Sequence, residues 1–255
     1  MDVITEHQQF SEDVRSGLML KEKRLPSKYF YDDQGSEIFQ QIMALKEYYL
    51  TDCEANILQK QSADIYNELG FDGHFNIVEL GAGDGQKTLH LLRFLLAAEV
   101  DFTYIPIDIS AKAVEMLQRH LLTELPNLSI KPQVGDYHQL LAQGLIKNSG
   151  STLLLFLGSN IGNYHARAAY DLTKLFYDSI KFGDKLLIGM DLKKNPRVIQ
   201  QAYSDSKGVT SAFNLNLLTR LNRELSANFD LTKFDFYCHY NPITGAVKSY
   251  LCSLY

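Results

Sequence analysis

The run Ile77-Val78-Glu79-Leu80-Gly81-Ala82-Gly83-Asp84-Gly85-Gln86-Lys87 constrains this chain more than any other stretch. An apolar strand ends in an acidic residue, three glycines alternate, and a helix then begins. Glycine at alternate positions lets the backbone turn tightly and approach a ligand with no Cβ in the way. A second apolar strand, Phe102 to Ile107, ends in Asp108. A carboxylate at the tip of the neighbouring strand suits a ribose diol, because it can accept both hydroxyl protons. Together they read as a nucleoside-cofactor site. The bland alternative, an ordinary βα turn, is weakened by Asp108 in register. A dinucleotide fingerprint, G-x-G-x-x-G, would need glycine at position 86, where this chain has Gln86.

Composition fits a compact enzyme. With 255 residues, 45% of them hydrophobic, the chain can bury one large domain or two modest ones. No apolar run approaches bilayer length; Leu153 to Leu157 is only strand-sized. The start, Met1-Asp2-Val3-Ile4-Thr5-Glu6-His7, has neither a basic cluster nor an apolar stretch, so no secretory signal is expected. The three cysteines, Cys53, Cys238 and Cys252, form no Cys-x-x-Cys pair. They suggest reduced thiols in a cytoplasmic protein, and no metal site is expected. Net charge is −5 without a concentrated Lys/Arg run, which argues against a nucleic-acid substrate and for a small molecule. Nothing in the sequence sets the oligomeric state.

The first seventy residues or so are helical in pattern. Ile38, Phe39, Ile42 and Leu45 share one face of a short helix. Thr51-Asp52-Cys53-Glu54 has the form of a capping box, with Thr51 at the N-cap and Glu54 three residues on. From Phe75 strands and helices alternate. Strands are expected near 75–80, 102–108, 129–134, 152–157 and 184–191, and helices near 86–98, 111–122, 137–144 and 165–182. Continuous apolar strands suit a sheet covered on both faces, hence a parallel, doubly wound α/β core. Beyond Asp191 a helix opening at Pro196, an amphipathic helix over 209–226 and a hairpin over 232–254 are expected. This layout divides the chain into a cofactor domain over 71–192 and an α+β lobe built from 1–70 and 193–255.

The spacing acidic-x-G-x-G-x-G resembles that of S-adenosylmethionine-dependent methyltransferases. In a doubly wound sheet, ligands sit beyond the carboxyl ends of the strands. Strand three is followed by Gly135-Asp136-Tyr137, a carboxylate and a ring placed to bond and flank an adenine. Asp136 can equally be the N-cap of the next helix. Strand four ends in Gly158-Ser159-Asn160-Ile161-Gly162-Asn163-Tyr164, small and amide residues where the methyl donor would point; a plain loop with a helix cap is the alternative. Lys87 lies in the first turn of its helix, a poor place for a cation, which hints at a ligand carboxylate nearby. A solvated lysine is the alternative.

A closer resemblance comes from longer stretches. Ser27 to Phe39, with Tyr29-Phe30-Tyr31-Asp32-Asp33-Gln34-Gly35, and Glu47-Tyr48-Tyr49-Leu50-Thr51-Asp52-Cys53-Glu54 resemble the opening of the ergothioneine-pathway histidine Nα-methyltransferases. Glu79 to Gly83, Pro106 to Ser110, Phe156 to Asn163, Ala202-Tyr203-Ser204-Asp205 and Gly208 to Asn214 are similar to the same family. The resemblance runs from about residue 26 onward. It implies a Rossmann-like class I methyltransferase core and transfer of methyl groups from S-adenosylmethionine to the α-amine of an amino acid. Histidine, trimethylated to hercynine, is the expected substrate, although the family includes fungal relatives acting on an indole amino acid.

By that resemblance Gly81, Gly83, Lys87, Asp108, Asp136 and Tyr137 hold the methyl donor. Asn163 and Tyr203 hold the substrate α-carboxylate, Tyr31 lies near the site, and Tyr48 stands by the amine as the catalytic hydrogen-bond partner. Tyr48 and Tyr203 read without the resemblance as half-buried packing residues. Family members also continue further, supplying a late Glu-x-Ser element that reads the imidazole and the last strands of the sheet. This sequence stops at Tyr255 without that element, as a piece of a longer chain or as a shortened homologue with another substrate. Either way an open sheet edge and weak turnover of histidine are expected. Two other functions stay in view: a non-catalytic binding protein of the same fold, and a nicotinamide oxidoreductase, against which Gln86 argues.

Overall fold

The computed structural model describes residues 6–146 and 150–255. The chain forms two compact units, Tyr49–Leu192 and Met1–Tyr48 with Lys193–Tyr255. In chain order, α1 (Glu6–Met19) and α2 (Asp33–Met43) come first. Tyr49–Leu192 then runs α3 (Tyr49–Leu69), β1 (Phe75–Leu80), α4 (Thr88–Ala97), β2 (Phe102–Asp108) and α5 (Ala111–Glu124). It continues through β3 (Gln133–Val134), α6 (Tyr137–Ala142), β4 (Ser151–Phe156), α7 (Ala166–Ser179) and β5 (Lys185–Ile188). The helices α8 (Pro196–Ala202) and α9 (Val209–Leu225) and the strands β6 (Phe234–Tyr240) and β7 (Val247–Ser253) follow.

The five strands of Tyr49–Leu192 pair in parallel in the order β3-β2-β1-β4-β5. Every residue of β1 is buried, as a central strand covered on both faces requires. Ile77 faces Leu58, Leu91, Leu92 and Leu95, while Val78 and Leu80 face Leu141, Leu172 and Phe176. The chain leaves β1 for β2 on one side and later returns to add β4 on the other. The switch point lies between β1 and β4, and it is beyond the strands' carboxyl ends at such a point that sheets of this kind take ligands. Among the described residues β5 stands at one end of the strand order.

The other unit has its own core, with Phe10, Val14 and Tyr29 against Leu217, Leu218 and Leu221 of α9. Two of its helices start on acidic side chains. Asp32 caps α2 through the Gly35 N–H at 2.7 Å, and Asp205 accepts from the Val209 and Thr210 N–H groups at 3.0 and 2.7 Å. The hairpin β6–β7 pairs Phe234 with Ser253 through Tyr240 with Val247, and Asn241 Oδ1 holds its turn.

The expected elements are present, with instructive differences. α3 begins at Tyr49, so Thr51 sits inside the helix and the capping box does not form. The Glu54 carboxylate goes to distant partners instead. With α3 packed on α4, the sheet unit starts at 49 rather than 71. β3 shrinks to Gln133–Val134 with one isolated bridge from Ile130 to Tyr104. α7 ends at Ser179, before a turn in which Asp184 accepts the Lys181 N–H. Among the described residues no helix is long and apolar enough to cross a membrane.

Candidate active site

The glycine turn is built as its spacing implies. Gly81, Gly83 and Gly85 all have positive φ, at 68°, 58° and 71°. The Gly81 and Ala82 N–H groups donate to the Ile107 carbonyl at 2.8 and 3.1 Å, which pins the turn beside the end of β2. The glycines then differ in what surrounds them. A Cβ on Gly83 would meet nothing within 4 Å, whereas one on Gly85 would come within 3.2 Å of the Leu117 side chain. Gly83 borders open space; Gly85 faces the core.

The two strand-end acids also differ. Glu79 is only 2% exposed and accepts from the Thr88 and Tyr104 hydroxyls at 2.8 and 2.5 Å. Burial raises its pKa to about 7, with the two hydroxyls pulling the other way. It braces the turn from inside. Asp108 is half-buried, and its carboxylate accepts the Gly83 and Ser110 N–H groups, each at 3.0 Å. Burial raises its pKa, while these backbone donors oppose the rise. A carboxylate has about four acceptor sites, so Asp108 links the turn and can still receive a hydroxyl proton.

Lys87 is the N-cap residue of α4, and its ammonium pairs with Glu54. Asp136 is the N-cap of α6, accepting the His138 N–H at 2.8 Å. The Tyr137 hydroxyl lies 2.6 Å from that of Tyr164, and His138 Nε2 lies 3.1 Å from the latter. Beyond β4 the chain makes a short 3-10 turn, Asn160–Asn163, entered through Ser159 at φ 56°. Asn160 Nδ2 bonds the Leu157 carbonyl at 2.9 Å, and Gly81 lies close by that amide. Asn163 is exposed at the end of the turn, and α7 begins on His165, so Asn163 does not cap it.

In the other unit Tyr31, Tyr48 and Tyr203 are half-buried and joined by rings. Tyr31 is edge-on to Phe39 with centroids 5.4 Å apart, Phe39 to Tyr48 at 6.2 Å, and Tyr48 to Tyr203 at 5.9 Å. Phe39 reads in sequence as one more residue on the apolar face of α2. Its place between two candidate tyrosines is visible only in three dimensions. Glu54 was hidden in the same way, behind a local capping pattern.

A cradle of positive-φ glycines, an open Gly83 face and a strand-tip carboxylate fit a nucleoside cofactor such as S-adenosylmethionine. That is the site of a class I methyltransferase. The family model described as histidine-specific, SAM-dependent methyltransferase matches residues 10–255, and this chain belongs to that family. The histidine N-alpha-methyltransferase of Mycolicibacterium smegmatis is 40% identical over 239 residues, covering 94% of this chain and 73% of that protein. Its Mycobacterium tuberculosis counterpart is 36% identical over 245 residues, covering 96% and 75%. Ergothioneine biosynthesis protein 1 of Schizosaccharomyces pombe is 29% identical over 239 residues, covering 91% of this chain and 31% of that protein.

Proposed function

We propose that this protein methylates the α-amino nitrogen of L-histidine, repeatedly, using S-adenosylmethionine. The observation that carries the reading is the open glycine cradle beside Asp108 in a chain of this family. Gly81 and Gly83 let the donor lie against the backbone. Asp108 takes the ribose hydroxyls, Asp136 and Tyr137 the adenine, and Lys87 the donor's carboxylate. Asn163 and Tyr203 take the α-carboxylate of the amino acid, Tyr48 bonds its amine, and Tyr31 lies near.

When bound, the donor supplies an electrophilic methyl group on a sulfonium. The residues of this chain then have to orient an amine lone pair behind that methyl, opposite the sulfur, and keep water out. A free α-amine has a pKa of about 7.7–8.0, so part of it is neutral at pH 7 and no strong base is required. Tyr48 orients the amine through its hydroxyl without abstracting its proton. The residues named here read the amine and carboxylate shared by all amino acids. Three unpaired cysteines and a net charge of −5 suit a reducing cytoplasm and a small-molecule substrate better than nucleic acid.

Isotope-labelled donor, a panel of amino acids and mass spectrometry test the proposal. Histidine should gain label, up to three methyls. Preference for an indole amino acid would overturn the substrate. Tight S-adenosylhomocysteine binding with no transfer to any acceptor would establish the non-catalytic alternative.

A further inference from the structure

We infer that Glu54 is a positioning residue of the donor site, setting the Lys87 ammonium for the donor's carboxylate and fixing the start of the loop after β4. The inference rests on the reading of Lys87 given above. It begins with a misfit. A cation at a helix N-terminus faces the positive end of the dipole, and the Lys87 side chain is only 18% exposed. An ammonium there needs an anion close by. Glu54, 14% exposed, supplies it from the first turns of α3.

The carboxylate is itself held. Both its oxygens lie within reach of the Gly158 N–H, at 2.9 and 2.8 Å, at the end of β4. Room for it exists because residue 189, just past β5, has no side chain; a Cβ there would run into Glu54 Oε1. Glu54 is therefore held by the backbone just past β4, in space left by the glycine past β5, and it in turn anchors Lys87 beside the glycine turn. A lysine has three N–H donors, so the pair leaves donors for a ligand carboxylate. A largely desolvated ion pair contributes little stability compared with apolar packing, and it stands at the crevice where ligands enter this kind of sheet. Placing a charge is the use that fits its position.

Two ligands separate this role from a structural one. S-adenosylhomocysteine has the amino-acid tail; 5′-methylthioadenosine has the nucleoside and sulfur without it. Glu54→Gln keeps the shape and an acceptor for Gly158 but loses the charge. Calorimetry should show S-adenosylhomocysteine binding weakened roughly tenfold, the low end for one charge-assisted hydrogen bond, with methylthioadenosine unchanged. Added to Lys87→Met, it should cause no further loss, since the two act as one unit. Equal weakening of both ligands, or losses that add in the double variant, would overturn the inference. Sensitivity to Lys87→Met but not to Glu54→Gln would remove the inference alone. Indifference to Lys87→Met would remove the reading of Lys87, and the inference with it. Should Glu54→Gln not fold, Glu54→Asp carries the same test, since it keeps the charge but draws it back.

Discussion

In Tyr49–Leu192 several candidate binding groups are backbone or fixed by backbone: the positive-φ Gly81 and Gly83, and an Asp108 carboxylate tied to the Gly83 and Ser110 N–H groups. In the unit formed by Met1–Tyr48 and Lys193–Tyr255 they are rings, with Tyr31, Tyr48 and Tyr203 linked through Phe39. The first kind of site depends on conformations that few residues can adopt, so its sequence is tightly restricted. The second depends on apolar surface with a polar tip, which ordinary packing tyrosines also provide. A backbone site announces itself in sequence; a ring site needs its neighbours.

The glycine turn gives the sharpest test of that contrast. Gly85→Ala should mainly cost stability, about 2–5 kcal/mol, by combining a left-handed residue with overpacking against Leu117. Gly83→Ala should cost only the backbone part, about 1–2 kcal/mol, yet lose most donor affinity because its Cβ enters the open face. Denaturation midpoints and calorimetry measure both. The same ratio of stability to affinity loss in the two variants would break the claim that neighbouring glycines serve different masters.

A second test concerns the acid within the turn. Glu79 sits at about 7 in the fold, raised by burial from an ordinary 4.5. A carboxyl with a raised folded pKa takes up a proton on folding. Its stabilisation is complete below about 4.5 and is lost as pH climbs through about 7. Glu79→Gln mimics the neutral form, so from pH 4 to pH 8 its stability should gain on the wild type by about 3 kcal/mol. Urea titrations at both pH values measure this. An unchanged gap would mean that Glu79 is ionised throughout, and a loss of donor affinity at constant stability would make it a ligand instead of a brace.

What the sequence made legible follows the same division. The strand β1, the glycine turn and Asp108 were readable because burial on both faces and positive φ leave few residue choices. α9 was readable because Phe213, Leu217 and Leu221 repeat at helical spacing toward one core. Errors came where a distant partner outbid a local rule. Glu54 fits a capping box, but its carboxylate serves Gly158 and Lys87, far away in sequence, and α3 starts three residues earlier than the box implies. Likewise the glycine just past the end of β5 at Ile188 is needed to make room for that carboxylate, which no local pattern announces. The aromatic chain through Phe39 left no signal beyond helical spacing.

Asn163 can break the contrast, because it is a candidate for the amino acid lying in the unit that carries the donor candidates. It ends the 3-10 turn after β4, is exposed, and leaves the start of α7 to His165. A helix-capping asparagine changed to alanine would cost about 1 kcal/mol of stability and leave substrate affinity alone. Since Asn163 caps nothing, Asn163→Ala should leave the melting temperature unchanged. If its amide donates to the substrate carboxylate, the histidine KM should rise about tenfold or more, as for one hydrogen bond to a charged group. S-adenosylhomocysteine affinity, set by the glycine turn, Asp108 and the other donor residues, should stay as it was. Equal loss of donor and histidine binding would place Asn163 with the donor site, and a fall in melting temperature alone would return it to the scaffold. In the first case one side chain would serve both donor and amino acid, and the division between the groups that read each would fail.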